Sequence, residues 1–355
     1  MCAILADFLS RHHEVYVYPV YHKEIGYRIS GNVKVLDFDS IPPDSTDRVA
    51  RYLRGLRVLL SLRFLRKDSS WEYELFLERA MYRVWRFCRK KKIDVVLSFL
   101  SDPNMINAKT LHFRRKVMSE RNNPLMKEDG YFRKMRRAFS RADTVIFQSE
   151  TVNAMFPVRI RKKGVVLPNP VEVPCLAAGG SKRIVTLGRL NPQKNHKLLI
   201  RAFALFSTGH PSHTLHIYGR GDLLPELRDL VKELSLEDRV FLEGYRDDIH
   251  EAVKDAEQFV LSSDYEGMPN ALLEAMMMGL PCVTTAFHGA EEFFGGTGAC
   301  VMTPPGDEKA LAEAMSRLAD DDGFRSSLAS RGKEYVRKYS LDNVLPLWEK
   351  VLFGE

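Results

Sequence analysis

Two carboxylates with seven residues between them, Glu266 and Glu274, stand in the run Leu261-Ser262-Ser263-Asp264-Tyr265-Glu266-Gly267-Met268-Pro269-Asn270-Ala271-Leu272-Leu273-Glu274-Ala275. The run reads as strand, loop and helix. Pro269 suits a first helical turn, Gly279 followed by Pro281 suits an end, and the Ala, Leu and Met between them are strong helix formers. The spacing predicts a helix over about 269–278. Its exposed N–H groups at Asn270 and Ala271 would point into a crevice at the strand's carboxyl end, where the helix dipole favours phosphate. Glu266 then falls in the loop with Gly267 and Met268, and Glu274 on the first turns. One carboxylate is set beside a reacting centre and the other is placed to hold hydroxyls. The plainer alternative is a glutamate that only complements the dipole.

A second cluster, Leu187-Gly188-Arg189-Leu190-Asn191-Pro192-Gln193-Lys194-Asn195, also runs from strand through loop to helix. Arg189 can grip phosphate oxygens with its fork, and Lys194 adds a point charge near the helix start. Gly219-Arg220-Gly221-Asp222 follows a further strand, and Glu243 ends the next, as a ribose ligand would. Leu224 occupies the place of a third fingerprint glycine, so a glycine turn that admits a nucleotide fits better than a dehydrogenase. The 10 histidines form no His-Glu-x-x-His, and His210, His213 and His216 do not share a helical face, so no metal is assigned. Asp37-Phe38-Asp39 has an Asp-x-Asp form but reads as a solvated turn at a strand end. Neither Gly-x-Ser-x-Gly nor a P-loop motif occurs, which leaves serine hydrolase and P-loop chemistry unsupported.

The elements that must position these residues alternate in strand and helix. From Lys182 the strand candidates are 183–187, 215–218, 240–242, 258–261, 282–285 and 300–302, with helical stretches between, the rhythm of a doubly wound parallel sheet. The first half repeats it more loosely, with strands near 15–20, 33–36, 95–99, 116–119 and 144–147. Between the halves, Val165 to Pro174, which packs three prolines and includes Leu167-Pro168-Asn169-Pro170, reads as an extended linker. Three units are expected: an N-terminal Rossmann-like domain over 1–165, a C-terminal one over 166–340 that binds nucleotide, and a helix over 341–355 packing back toward the first. A length of 355 residues suits two cores, and no apolar run is long enough to span a membrane. Five scattered cysteines and a start without a basic, apolar leader point to a reducing cytoplasm. Residues 1–150 carry 29 Lys and Arg against 18 Asp and Glu, a net +11, whereas the remainder nets −4. Such a basic half suits an anionic partner. No zinc, helix-turn-helix or aromatic RNA-binding motif accompanies the charge, so nucleic acid is not expected.

Glu266 and Glu274 with the Gly-Met-Pro-Asn loop, the Gly188-Arg189-Leu190 to Lys194-Asn195 loop, Gly219-x-Gly221 and the Leu167-Pro168-Asn169-Pro170 hinge together resemble the family 4 glycosyltransferases of the GT-B fold. Ser98-Phe99-Leu100 and the run from Ser119 to Pro124 resemble the subgroup that builds bacterial cell-surface polysaccharides. The resemblance implies retaining transfer of a hexose or N-acetylhexosamine from a UDP-sugar to a lipid-linked or polysaccharide acceptor, without a metal. By position, Arg189 and Lys194 would neutralise the diphosphate, Glu274 would hold the ribose and Glu266 the donor sugar. Gly188, Gly219, Gly221, Gly267, Met268, Pro269, Asn270 and Ala271 would shape the donor site. Where many members place a histidine after the fourth N-terminal strand, Arg121 stands here.

Two expectations concern the first half. Cys2 to Leu9 has helical spacing and reads as the family's first helix, so the first strand and its glycine-rich loop are expected to be absent. A nucleotide-sugar-binding chain with impaired transfer is the corresponding alternative. The arginines recurring from Arg48 to Lys67, extended by Arg83 to Lys92, predict a basic amphipathic helix that could lie on an anionic membrane surface.

Overall fold

The alternation from Lys182 onward folds into one six-stranded parallel sheet. A computed structural model describes residues 1–20, 29–36, 70–110, 114–121, 129–174, 176–177 and 179–354. The Asp37 to Asp39 turn and the basic helix expected over 48–67 lie outside them. In the first half, β1 (Tyr16–Val17) and β2 (Lys34–Val35) pair in parallel, while β3 (Val95–Phe99), β4 (Arg115–Ser119), β5 (Thr144–Phe147) and β6 (Gly164–Val166) form a second parallel sheet in sequence order. In the second half, β7 (Arg183–Leu187), β8 (Thr214–Tyr218), β9 (Val240–Gly244), β10 (Gln258–Leu261), β11 (Cys282–Thr285) and β12 (Val301–Thr303) assemble in the order β12-β11-β10-β7-β8-β9. The sheet thus grows one way from β7 and then the other way from β10.

Side-chain alternation splits the second half's core over the two faces of its sheet. Val185 and Phe259 pack with Leu272 and Met276 on one face, whereas Ile184 and Val260 pack with Leu199, Phe203 and Leu311 on the other. Strands covered on both faces read as continuous apolar runs, as Phe259-Val260-Leu261 does. The expected strand boundaries hold within a residue or two.

The first half is built differently. Among the described residues no strand joins the β1–β2 pair to the four-stranded sheet. Val95, Val96 and Leu97 of β3 are only half-buried, although they are as apolar as the fully buried β5, which has neighbours on both sides. Strand β1 is shorter than the 15–20 expected, and Pro19, which lacks an N–H to donate, follows closely. Val166 still pairs with Phe147, so the first sheet runs one residue past the boundary expected at 165.

The final helix, Leu341–Phe353, belongs with the first half by packing. Val344, Leu345, Trp348 and Leu352 bury against Leu5, Leu9, Val117 and Ile146, and the Trp348 indole N–H donates to the Pro168 carbonyl at 3.0 Å. The helix therefore closes the core of the sheet that precedes the linker.

Candidate functional site

In a doubly wound sheet the loops diverge where the strand order reverses, and the crevice they leave is the natural ligand site. Here the reversal lies between β7 and β10, which are hydrogen-bonded neighbours. The loops that leave them are 188–195 and 262–269, the two stretches whose residue types point to phosphate and carboxylate chemistry.

These loops are laced together. Asp264 N–H donates to the Gln193 carbonyl at 2.9 Å, Ser262 Oγ to the Lys194 carbonyl at 2.9 Å, and Asn195 Nδ2 to Asp264 Oδ1 at 2.8 Å. Asn195 adopts a left-handed backbone (φ 42°) and caps the helix His196–Gly209 through Leu198 N–H. At the centre, Lys194 Nζ lies 2.6 Å from Glu266 Oε1, with side chains 15% and 6% exposed. Ser263 Oγ donates to the same carboxylate at 2.7 Å and Gln193 Nε2 at 3.3 Å. The expected phosphate cation and sugar carboxylate thus form an ion pair with each other. Arg189 is exposed at the rim and has no ion pair among the described residues. His196, buried behind Lys194, is pushed down to about 4 by that burial, so it stays neutral near neutral pH.

A cavity of about 540 Å³ lies between the halves. The second half lines it with Arg189, Gln193, Lys194, Glu266, Gly267 and Asn270, and the first half with Met1, Phe99, Arg121 and Gln148, joined by Asn169 from the linker. Arg121 is held by stacking: its guanidinium carbon lies 5.1 Å from the Phe99 ring centre and 5.0 Å from that of Trp348. Arg121 Nη1 donates to Asn169 Oδ1 at 2.6 Å, and Asn169 Nδ2 donates to Asn270 Oδ1 at 2.9 Å. Burial pulls the guanidinium down to about 10.

Of the expected site residues, Arg121, Arg189, Lys194, Glu266, Gly267, Met268 and Asn270 share this cavity. Glu274 does not line it; its carboxylate contacts His250 Nε2 at 3.3 Å on the same side of the sheet's carboxyl edge. Gly188, Pro269 and Ala271 also stand outside it. The helix begins at Asn270 rather than Pro269, and the Asn270 N–H donates to the Met268 carbonyl, so that donor is not open to a phosphate as expected. Gly219 and Gly221 answer to loop packing. A Cβ at Gly219 would lie 1.8 Å from the Gly188 carbonyl oxygen, and one at Gly221 2.2 Å from that of Leu190. Gly267 faces the first half, where an added Cβ would meet Gln148 Oε1 at 2.6 Å and the Arg121 carbonyl oxygen at 3.3 Å. Glu243, expected as a ribose ligand, pairs with His216 Nδ1 at 2.6 Å.

Gln148 and Asn169 escaped the sequence reading. Gln148 follows the fully buried β5 at its carboxyl end, the sequence signal that could have marked it; Asn169 stands between two prolines in the linker. Among the described residues no three His, Cys, Asp or Glu side chains converge as a metal site would require. No helix among them is long and apolar enough to cross a membrane.

Comparison with known proteins agrees with this geometry. Residues 181–321 match the family described as glycosyl transferases group 1. The chain is 28% identical over 276 residues to the N-acetylgalactosamine-N,N'-diacetylbacillosaminyl-diphospho-undecaprenol 4-alpha-N-acetylgalactosaminyltransferase of Campylobacter jejuni, covering 72% of this chain and 74% of that one. Among solved structures, sucrose-phosphate synthase from Thermosynechococcus elongatus superposes with a TM-score of 0.77 at 16% identity, over 99% of this chain and 92% of that one. HepE from Anabaena, solved with UDP and glucose, gives 0.71 at 18% identity over 82% and 84%. Residues 181–321 are thus similar to the group 1 glycosyl transferases, and the chain as a whole has the GT-B fold.

Proposed function

We propose that the protein is a retaining glycosyltransferase of family 4 that moves a hexose or N-acetylhexosamine from a UDP-sugar to a lipid-linked or polysaccharide acceptor. The observation that carries this reading is the meeting of Arg189, Lys194 and Glu266 at the sheet's switch point, facing a wall supplied by the other half. Arg189 and Lys194 offset the charge that builds on the departing diphosphate, where preorganised cations contribute most to rate. For this the Lys194 ammonium must share its contact with Glu266, which keeps Ser263 and Gln193 as donors when it turns to the sugar. Glu274 holds the ribose hydroxyls outside the cavity, and no metal is required. The donor assignment is supported by the neighbour solved with UDP, and the acceptor by the relative whose name specifies diphospho-undecaprenol. Work at the cytoplasmic face of a membrane, with the basic first half turned to anionic lipid, suits that acceptor.

A second reading, nucleotide-sugar binding with impaired transfer, is favoured by the divided sheet of the first half. Incubation of UDP-sugars with undecaprenyl-diphosphate-linked acceptors, followed by NMR of the product's anomeric linkage, separates the two. Transfer with retained configuration supports the first. UDP binding without transfer supports the second.

A further inference from the structure

The stacked guanidinium of Arg121 has donors that no contact uses. Nη1 is committed to Asn169, but Nε and Nη2 are shut from solvent and have no hydrogen-bond partner among the described residues. These two N–H groups lie on one edge of the planar group, the edge that meets a carboxylate or phosphate with paired hydrogen bonds. Among the described residues no carboxylate forms an ion pair with Arg121. Its chain neighbour Glu120 is engaged elsewhere, accepting from the Tyr131 hydroxyl at 2.9 Å and from the Arg121 backbone N–H at 2.9 Å. Charged donors left unmade between two aromatic rings are costly, and an arriving oxyanion removes that cost.

The position of this edge separates it from the diphosphate cations. Arg189 and Lys194 stand on the second half's wall, whereas Arg121 lines the opposite wall with Met1, Cys2 and Phe99. The Arg121 backbone reaches the Gly267 loop, where a Cβ would come within 3.3 Å of its carbonyl oxygen, and Asn169 ties its side chain to Asn270. A substrate lying along the cleft would thus meet cations at two separate points.

We infer that the Nε and Nη2 edge of Arg121 receives an oxyanion carried by the substrate, either a carboxylate on the transferred sugar or a phosphate of the acceptor. The inference rests on the nucleotide-sugar reading and adds to it a charge requirement on the wall facing the diphosphate site.

Calorimetry on the full chain tests it with two probe pairs, UDP-glucose against UDP-glucuronate and a short prenyl alcohol against its diphosphate. In one pair the member with the extra oxyanion, UDP-glucuronate or the prenyl diphosphate, should bind the wild type at least about tenfold more tightly than the member without it, the effect of a charge-assisted pair of hydrogen bonds. Arg121→Gln should lose that preference and keep its UDP affinity, and Arg121→Lys, which retains charge without the two-donor edge, should lose most of it. The pair that shows the preference identifies the source as sugar carboxylate or acceptor phosphate. If thermal melting shows Arg121→Gln unfolded, the lysine variant carries the test. UDP binding with no preference in either pair overturns the inference, as does a preference that survives both substitutions, or loss of UDP itself in a folded variant. A wild type that does not bind UDP removes the nucleotide reading instead, and the prenyl pair then decides the inference by itself.

Discussion

The two halves of the molecule use similar apolar strands to different effect. In the second half, β10 and β11 are buried throughout, with neighbours on both edges and helices on both faces. In the first half, β3 is equally apolar but half-buried, because its sheet stops there and the β1–β2 pair stands apart. The half that gathers Lys194 and Glu266 is thus one continuous sheet with those strands at its centre. The half that supplies the opposite wall relies on a helix from beyond the second domain, through Trp348. Burial of an apolar strand follows from its neighbours in the sheet and not from its composition alone.

The sharpest way to break this comparison is to remove the borrowed helix contact. Trp348→Ala deletes a fully buried indole and its hydrogen bond to Pro168, and should cost about 4 kcal/mol. The loss should fall on the first half, so that chemical denaturation of the variant separates into two transitions while UDP binding by the folded second half persists. A single transition with lost UDP binding would show that the halves fold as one unit.

Within the second half, Lys194→Ala leaves the Glu266 carboxylate buried without its cation. Because breaking such a pair strands a charge, about 3 kcal/mol of stability should be lost along with UDP binding. Glu274→Gln, at a partly exposed site that contacts only His250 among the groups described, should weaken UDP binding with little change in denaturation midpoint. Equal destabilisation by the two would mean that Glu274 is a structural residue.

His196 sharpens the contrast through pH. Its folded value of about 4 lies below the ordinary 6.5, so between those limits the unfolded chain takes up a proton that the folded chain refuses. Stability therefore falls as pH falls through that window, by up to about 3 kcal/mol, and His196→Phe should flatten the profile. An unchanged slope in the variant would place the acid sensitivity elsewhere.

The smallest effect concerns the seam between the halves. Glu292 accepts from the Thr151 N–H at 2.8 Å and its hydroxyl at 2.6 Å, at the start of helix Glu150–Ala154. This exposed contact should contribute about 1 kcal/mol or less, so Glu292→Gln should shift denaturation only slightly. A shift above about 2 kcal/mol would make it a principal tie between the halves.

The second half was legible because its strands, the loops that leave them and the helices that follow show local patterns, although the order of the strands and the exact helix start at Asn270 did not follow from them. The loops of Arg189, Lys194 and Glu266 could be placed at one crevice from the doubly wound rhythm alone. The Lys194–Glu266 ion pair could not, since the two residues are far apart in sequence and nothing local distinguishes a cation awaiting phosphate from one already paired. Nor could the Arg121 stack, which needs Phe99 from β3 and Trp348 from the final helix to meet. The close packing of the glycines at 219 and 221 was hidden for the same reason: their near neighbours are backbone atoms of a loop some thirty residues earlier.

Titration calorimetry with UDP and uridine, on the wild type and on Arg189→Ala, tests the switch-point donor site most directly. The wild type should bind UDP far more tightly than uridine. Arg189 is exposed and carries no structural ion pair among the described residues, so its removal should leave folding intact, weaken UDP by about tenfold or more, and barely alter uridine. Equal losses for the two ligands, or a wild type that does not distinguish them, would contradict a diphosphate site between β7 and β10.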